Sequence, residues 1–160
     1  MTTKEQSKLE IPRLFWFSLI SSLRERGENR RESGGFLLAR IAQRRVRAFI
    51  PYDDLDPHAL DPGYINFDGK GFIPLWKLCE ERGMRVIADI HTHPGRLTAL
   101  SDTDWDNPMI PRSGHIALIV PSYAKGNSFN LNGVGAHLYL GNSRWESMKK
   151  PSDLITLSLL

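Results

Sequence analysis

Cysteine is nearly missing from this sequence. Cys79 is the one cysteine among 160 residues, so the chain can form no internal disulfide and no multi-cysteine zinc site; any metal must be held by histidine and carboxylate. Long apolar runs are missing too, which excludes a membrane-spanning helix. The start, Met1-Thr2-Thr3-Lys4-Glu5-Gln6-Ser7-Lys8, is polar and lacks the apolar stretch of a signal peptide. Together these absences lead to the expectation of a cytoplasmic protein without targeting. Charge of one sign does not dominate: 21 Lys and Arg against 18 Asp and Glu leave a net +3, which permits an acidic partner without implying one. No repeat or low-complexity segment appears. What is present, 160 residues with 41% hydrophobic content, suits one domain, 1–160, with a sizeable core.

Along the chain, Trp16, Leu19, Ile20 and Leu23 recur at helical spacing between Pro12 and Gly27, which predicts a buried helix over Leu14–Arg26. Glu32–Ile41 and Arg45–Tyr52 read as a hairpin, with Arg45, Arg47 and Phe49 alternating against Val46, Ala48 and Ile50 so that one face is wet. Residues Asp53–Gly63 have the Asp and Pro content of a loop, and Tyr64–Asp68 reads as a short edge strand. A second amphipathic helix follows over Phe72–Gly83, with Leu75, Leu78 and Cys79 inward and Gly83 as its stop. His115–Pro121 has the continuous apolar character of a strand buried on both faces. Strands over 131–140 and 144–146 complete a meander, and Asp153–Leu160 fits a strand, a helix or a tail equally. This order describes an α+β or three-layer α/β domain.

One stretch carries chemistry. His91 and His93 end the β-branched run Met84–Ile90, and residues two apart on a strand face the same way, so both imidazoles can reach one ion. Pro94-Gly95 ends the strand. Ser101-Asp102-Thr103-Asp104 then reads as the capped start of a helix that turns Asp104 back toward the histidines. Two nitrogens and one carboxylate oxygen suit zinc, with a fourth position open to water whose pKa falls to roughly 7. Hydrolysis also needs a carboxylate near the ion but not on it. Glu32, beside Gly34-Gly35 at the mouth of the first hairpin strand, is the candidate; the alternative is a surface carboxylate paired with Arg30 or Arg31. Asp89 shares the strand face of the two histidines and reads as a contact to a ligand or to substrate. His58, His115 and His137 read as structural, Cys79 as inert packing, and the arginines 24, 26, 30, 31, 44, 45 and 47 as a solvated surface or a receptor for an acidic partner.

Glu32-Ser33-Gly34-Gly35-Phe36-Leu37, His91-Thr92-His93-Pro94, six intervening residues and Ser101-Asp102-Thr103-Asp104 together resemble the JAMM motif of the MPN+ (JAB/Mov34-type) zinc metalloprotease family. The resemblance spans roughly residues 14 to 140, because the inferred element order is also the family's. It implies the cytidine-deaminase-like MPN fold, a mostly antiparallel mixed sheet flanked by helices. It further implies one zinc ion on His91, His93 and Asp104, with Glu32 as general acid and base and Ser101 as donor to the oxyanion. Ser101 as a helix N-cap is the plainer role, and both can hold at once.

For activity, the resemblance implies a deubiquitinase-like peptidase or isopeptidase that cuts after the C-terminal glycine of a ubiquitin-like protein. The partners implied are that protein or its conjugate, with associated conjugation enzymes, as in small stand-alone bacterial members found in antiviral operons. Residues Asp53–Asp68 lie where larger deubiquitinating members carry a clamping insertion, and the span from Asp104 to His115 is too short for a second one. Alternatives within the fold are a peptidase acting on sulfur-carrier proteins or other peptides, and an inactive scaffold, which would be expected to have lost ligands. A nucleic-acid-associated protein of the same fold is disfavoured by Thr92, where such relatives carry asparagine, and by weak basicity.

Overall fold

The computed structural model describes residues 8–126 and 128–159. The polar leader, apart from Lys8, lies outside the described residues. β1 (Leu9–Pro12) runs directly into α1 (Arg13–Gly27). Pro12 sets an extended backbone before the helix, and Trp16, Leu19, Ile20 and Leu23 form its buried stripe. Gly27 is the last helical residue, and Glu28 takes the left-handed cap at φ 51°.

β2 (Gly34–Arg40) and β3 (Val46–Pro51) form the expected antiparallel hairpin. α2 (Tyr52–Leu55) is a single turn inside the Asp- and Pro-rich segment. α3 (Phe72–Arg82) ends at Gly83, whose φ of 62° suits glycine. β4 (Met84–Thr92) follows at once, then α4 (Asp102–Asp106), β5 (Ile116–Val120), β6 (Gly135–Gly141), β7 (Arg144–Ser147) and β8 (Ile155–Ser158). No helix among the described residues is long and apolar enough to cross a membrane.

Six strands form one mixed sheet in the order β3-β2-β4-β5-β6-β7. Only the central β4–β5 pair is parallel. One face is covered by α1 and by a second, two-stranded parallel sheet of β1 and β8, around Leu9, Ile11, Trp16, Leu37, Ile90 and Leu118. The other face packs Phe36, Leu38, Tyr52, Leu60, Leu75 and Cys79 under α2 and α3. The result is the α+β, layered arrangement that the element order implied.

Three features depart from expectation or resolve it. Tyr64–Asp68 is not an edge strand: Asn66 N–H donates to the Ala59 carbonyl at 2.9 Å and Asp68 N–H to Asp56 Oδ2 at 3.0 Å, so its amides are used within the loop. The C-terminal segment is a strand, and β1, its partner, had no expectation attached to it. The third feature is a bulge. Leu37 pairs with Ala88 but Leu38 with Val86, which leaves Ile87 outside the ladder. Met84 and Val86 face α3, whereas Ile87, Ala88 and Ile90 face α1. The extra residue resets the alternation, so Asp89 and His91 emerge on the α3 side.

Candidate metal centre

The histidines sit where β4 runs out. His91 is the last but one residue of the strand, and His93 still donates its backbone N–H to the Val120 carbonyl at 2.9 Å. Both rings turn to the same side, with their Nε2 atoms 3.2 Å apart. Asp104 reaches them from α4. Ser101 is the N-cap of that helix: its Oγ accepts the Asp104 N–H at 3.1 Å, and Asp104 Oδ2 accepts the Ser101 N–H at 3.0 Å. This reciprocal cap fixes the carboxylate. Its Oδ2 lies 3.2 Å from His93 Nε2 and its Oδ1 3.4 Å from His91 Nε2.

The spacing of these three groups suits a metal ion. Ligands about 2.05 Å from a tetrahedral ion stand about 3.3 Å from one another; here the two Nε2 atoms are 3.2 Å apart, and each lies 3.2 to 3.4 Å from one of the two Asp104 oxygens, Oδ2 for His93 and Oδ1 for His91. His93 Nδ1 lies 3.0 Å from the Leu97 carbonyl. A proton on Nδ1 then bonds that carbonyl and leaves the Nε2 lone pair for a metal.

Charge follows the same geometry. Burial by itself raises the Asp104 carboxyl, but the hydrogen bonds from His91 and His93 outweigh it and hold the group far below the usual carboxylate range. The Asp104 hydrogen bond raises His93, against burial. Glu32 behaves oppositely: burial raises its carboxyl despite the nearby His91 and His93, so it holds a proton more readily than an ordinary glutamate.

Glu32 is tied down on both sides. Its N–H donates to the Gly63 carbonyl at 2.8 Å, and its Oε2 accepts the Ile65 N–H at 3.4 Å. Arg30 and Arg31 both pair with Glu28, at 2.7 and 3.5 Å, which removes the surface ion pair that the sequence offered for Glu32. Gly34 stands opposite His91 in the ladder, and a Cβ there would collide with the Ile90 carbonyl and come within 2.8 Å of Tyr52 Cε2. The glycine lets β2 carry Glu32 up to the histidines.

Asp89 is buried and lies 2.6 Å from His115 Nε2. It also lines a cavity of about 90 Å³ beside His91 and Asp104, together with Tyr52, Leu100 and Trp145. His137 bridges Ser147 Oγ at 2.7 Å and the Thr98 carbonyl at 2.8 Å, anchoring the loop between the histidines and Asp104. His58 bonds Asp61 on the surface.

No family model matches the chain. Its structure is similar to that of a Desulfitobacterium hafniense protein determined in solution, with a TM-score of 0.64, 16% identity, and coverage of 93% of this chain and 92% of that one. It is also similar to a JAB1/MPN domain protein from Archaeoglobus fulgidus, with a TM-score of 0.50, 16% identity, and coverage of 94% and 100%. A Salinibacter ruber protein matches at a TM-score of 0.50 with 15% identity over 83% and 86% of the two chains. The fold is MPN-like.

On this MPN-like frame, the ligand atoms of His91, His93 and Asp104 all lie within 4.8 Å of one another, a group that can hold a metal ion. Glu32 stands next to the group, Ser101 caps the helix that delivers Asp104, and Asp89 sits one alternate position before His91. Thr92, which the sequence marked only as a threonine in place of asparagine, has a buried side chain that faces away from the metal donors and bonds Ser33, the neighbour of Glu32. Strand parity alone places the residue between two ligands on the opposite face, so the signal was there.

Proposed function

We propose that the chain is a zinc-dependent peptidase or isopeptidase that cuts after the C-terminal glycine of a ubiquitin-like protein or its conjugate. The observation that carries this reading is the group of His91, His93 and Asp104 with Glu32 beside it but outside it. Zinc fits the two-nitrogen, one-oxygen set, and when bound it supplies Lewis acidity at neutral pH.

The chain's own residues supply the rest. Glu32, with its raised affinity for a proton, takes one from the attacking water and passes it to the leaving amine. The Ser101 oxygen is engaged as acceptor of the Asp104 N–H, which leaves its own proton to donate to the oxyanion. The loop from Asp53 to Asp68 frames the approach through Ile65, beside Glu32. An extended substrate tail fits such a site, because its backbone can pair with protein edges while glycine passes the narrow point.

The test is a cleavage assay on ubiquitin-like fusions ending in Gly-Gly plus further residues, run beside metal analysis. Wild type is expected to carry one zinc and to cleave after the second glycine. Glu32→Gln is expected to keep the zinc and lose cleavage. Unchanged cleavage in Glu32→Gln overturns the mechanism, and absence of zinc at one per chain overturns the metal assignment.

A further inference from the structure

The cavity beside His91 and Asp104 exists because one small residue stands on a strand of large ones. Along β5, Ile116, Leu118 and Val120 pack toward α1, whereas Ala117 faces the other way, into a separate cluster with Tyr139 and Trp145. Its register partner in β4 is Asp89. A methyl group at that position leaves open a space of about 90 Å³ next to the metal donors.

The walls of that space are fixed. Trp145 Nε1 donates to the Trp105 carbonyl at 3.1 Å, and its ring meets Tyr139 edge-on at 4.9 Å between centroids. Tyr52 is fully buried and packs edge-on against Phe36 at 5.0 Å. Asp89 is held by His115 at 2.6 Å. Leu100 closes the space from the loop that leads to Asp104, and Ile65 from the loop whose N–H bonds Glu32. Protein interiors are close-packed, so an open space walled by anchored side chains beside metal donors has the form of a ligand subsite.

We propose that this cavity receives the side chain of the residue that follows the scissile glycine, and that it selects an aliphatic chain of valine or leucine size. The assignment rests on the proposed cleavage after glycine and extends it to the leaving residue. Glycine brings no side chain of its own, so the first side chain to meet a pocket at the donors is that of the residue behind it. Ile65 borders both the cavity and Glu32, the group that hands its proton to the leaving amine. At about 30 Å³ for each water the space holds about three waters, and a branched chain of three or four carbons fills the same room. Asp89 and Asp104 both line it, and no lysine or arginine does among the described residues, so an acidic side chain meets like charge there.

The test is a panel of ubiquitin-like fusions ending in Gly-Gly-X, with X glycine, alanine, valine, leucine, tryptophan, lysine or aspartate, cleaved by the zinc-loaded full chain. Valine and leucine are expected to exceed glycine in kcat/KM by about tenfold or more, and tryptophan and aspartate to fall below alanine. Ala117→Val narrows the cavity and is expected to lower leucine relative to alanine by about tenfold. Leu100→Ala, at a half-buried loop position, widens it and is expected to raise tryptophan relative to leucine. Equal kcat/KM across the panel, a preference for lysine or aspartate over leucine, or ratios unmoved in both variants overturns the proposal. A binding measurement separates this pocket from the hydrolysis itself: calorimetric titration of Glu32→Gln with the peptide amides Gly-Gly-Leu and Gly-Gly-Gly needs no turnover, and Gly-Gly-Leu is expected to bind about tenfold more tightly. If no fusion is cleaved and that difference stands, the hydrolysis falls and the pocket remains. If fusions are cleaved and the difference is absent, the pocket falls and the hydrolysis remains; absence of both overturns both.

Discussion

Thr92 and Ser33 hold each other in a closed pair. The Thr92 Oγ1 accepts the Ser33 N–H at 3.0 Å, and the Thr92 N–H donates to the Ser33 carbonyl at 2.9 Å. Both residues are fully buried. The residue between the two histidines is thereby fastened to the residue after Glu32, and the metal donors and the candidate base share one rigid support. Thr92→Val strands the buried Ser33 N–H and is expected to cost about 1–3 kcal/mol in denaturant unfolding. The same variant is expected to keep its metal and lose kcat, and Thr92→Ser to recover most of both; a Val variant as active and stable as wild type would show that the clamp is idle.

Gly34 sets how closely β2 approaches β4. Gly34→Ala drives a methyl into the Ile90 carbonyl and against the Tyr52 ring, and overpacking of this kind is expected to cost about 1–3 kcal/mol. The measurement is thermal unfolding paired with metal content, with a lower melting temperature and weaker metal retention as the expected pair.

Ser101 carries two assignments that separate by size. Losing the N-cap costs about 1 kcal/mol, whereas losing an oxyanion donor costs on the order of a hundredfold in kcat. Ser101→Ala is therefore expected to show a small drop in stability, a KM close to wild type and a kcat lower by about two orders of magnitude. A kcat loss no larger than the stability change leaves only the cap.

Metal loading reverses the pH response. In the metal-free chain the Asp104 hydrogen bond raises His93 above its unfolded value. A raised histidine contributes stability that is complete below the unfolded pKa of about 6.5 and is lost as pH rises through the folded value. The metal-free melting temperature is expected to fall across that window. With metal bound the imidazole must be deprotonated, so the melting temperature is expected to climb over the same range. His137, which burial pushes downward, titrates below the window. Scanning calorimetry in matched buffers, with and without chelator, reads both slopes; parallel slopes would refute the linkage.

The sequence carried the long-period signals and the close-spaced chemistry. The stripe of Trp16, Leu19, Ile20 and Leu23 marked α1, and the alternate placing of His91 and His93 marked the donor pair. It did not carry features made by distant segments meeting. β1 and β8 have four residues each, too few for periodicity to register, and they exist because each covers the other. The Ile87 bulge leaves no compositional trace, because Ile87 and Val86 are equally apolar and only the ladder decides which is skipped. Tyr64–Asp68 looked like a strand by residue type, but its amides are consumed by Ala59 and Asp56 before any neighbour can pair with them.

The parallel pairing of β1 with β8 also sets an order of events during synthesis. Leu9 and Ile11 leave the ribosome long before Ile155 and Leu157, their partners in the back layer. Every donor of the candidate metal centre and the proposed base beside it, from residue 32 to residue 104, emerges in between. The side of the sheet that carries the candidate metal centre can thus assemble while α1 still lacks its final cover, and sealing of the core waits for β8. A nascent chain stalled after β7 would present the candidate metal centre nearly complete on a body whose apolar back is open, the kind of intermediate that chaperones hold.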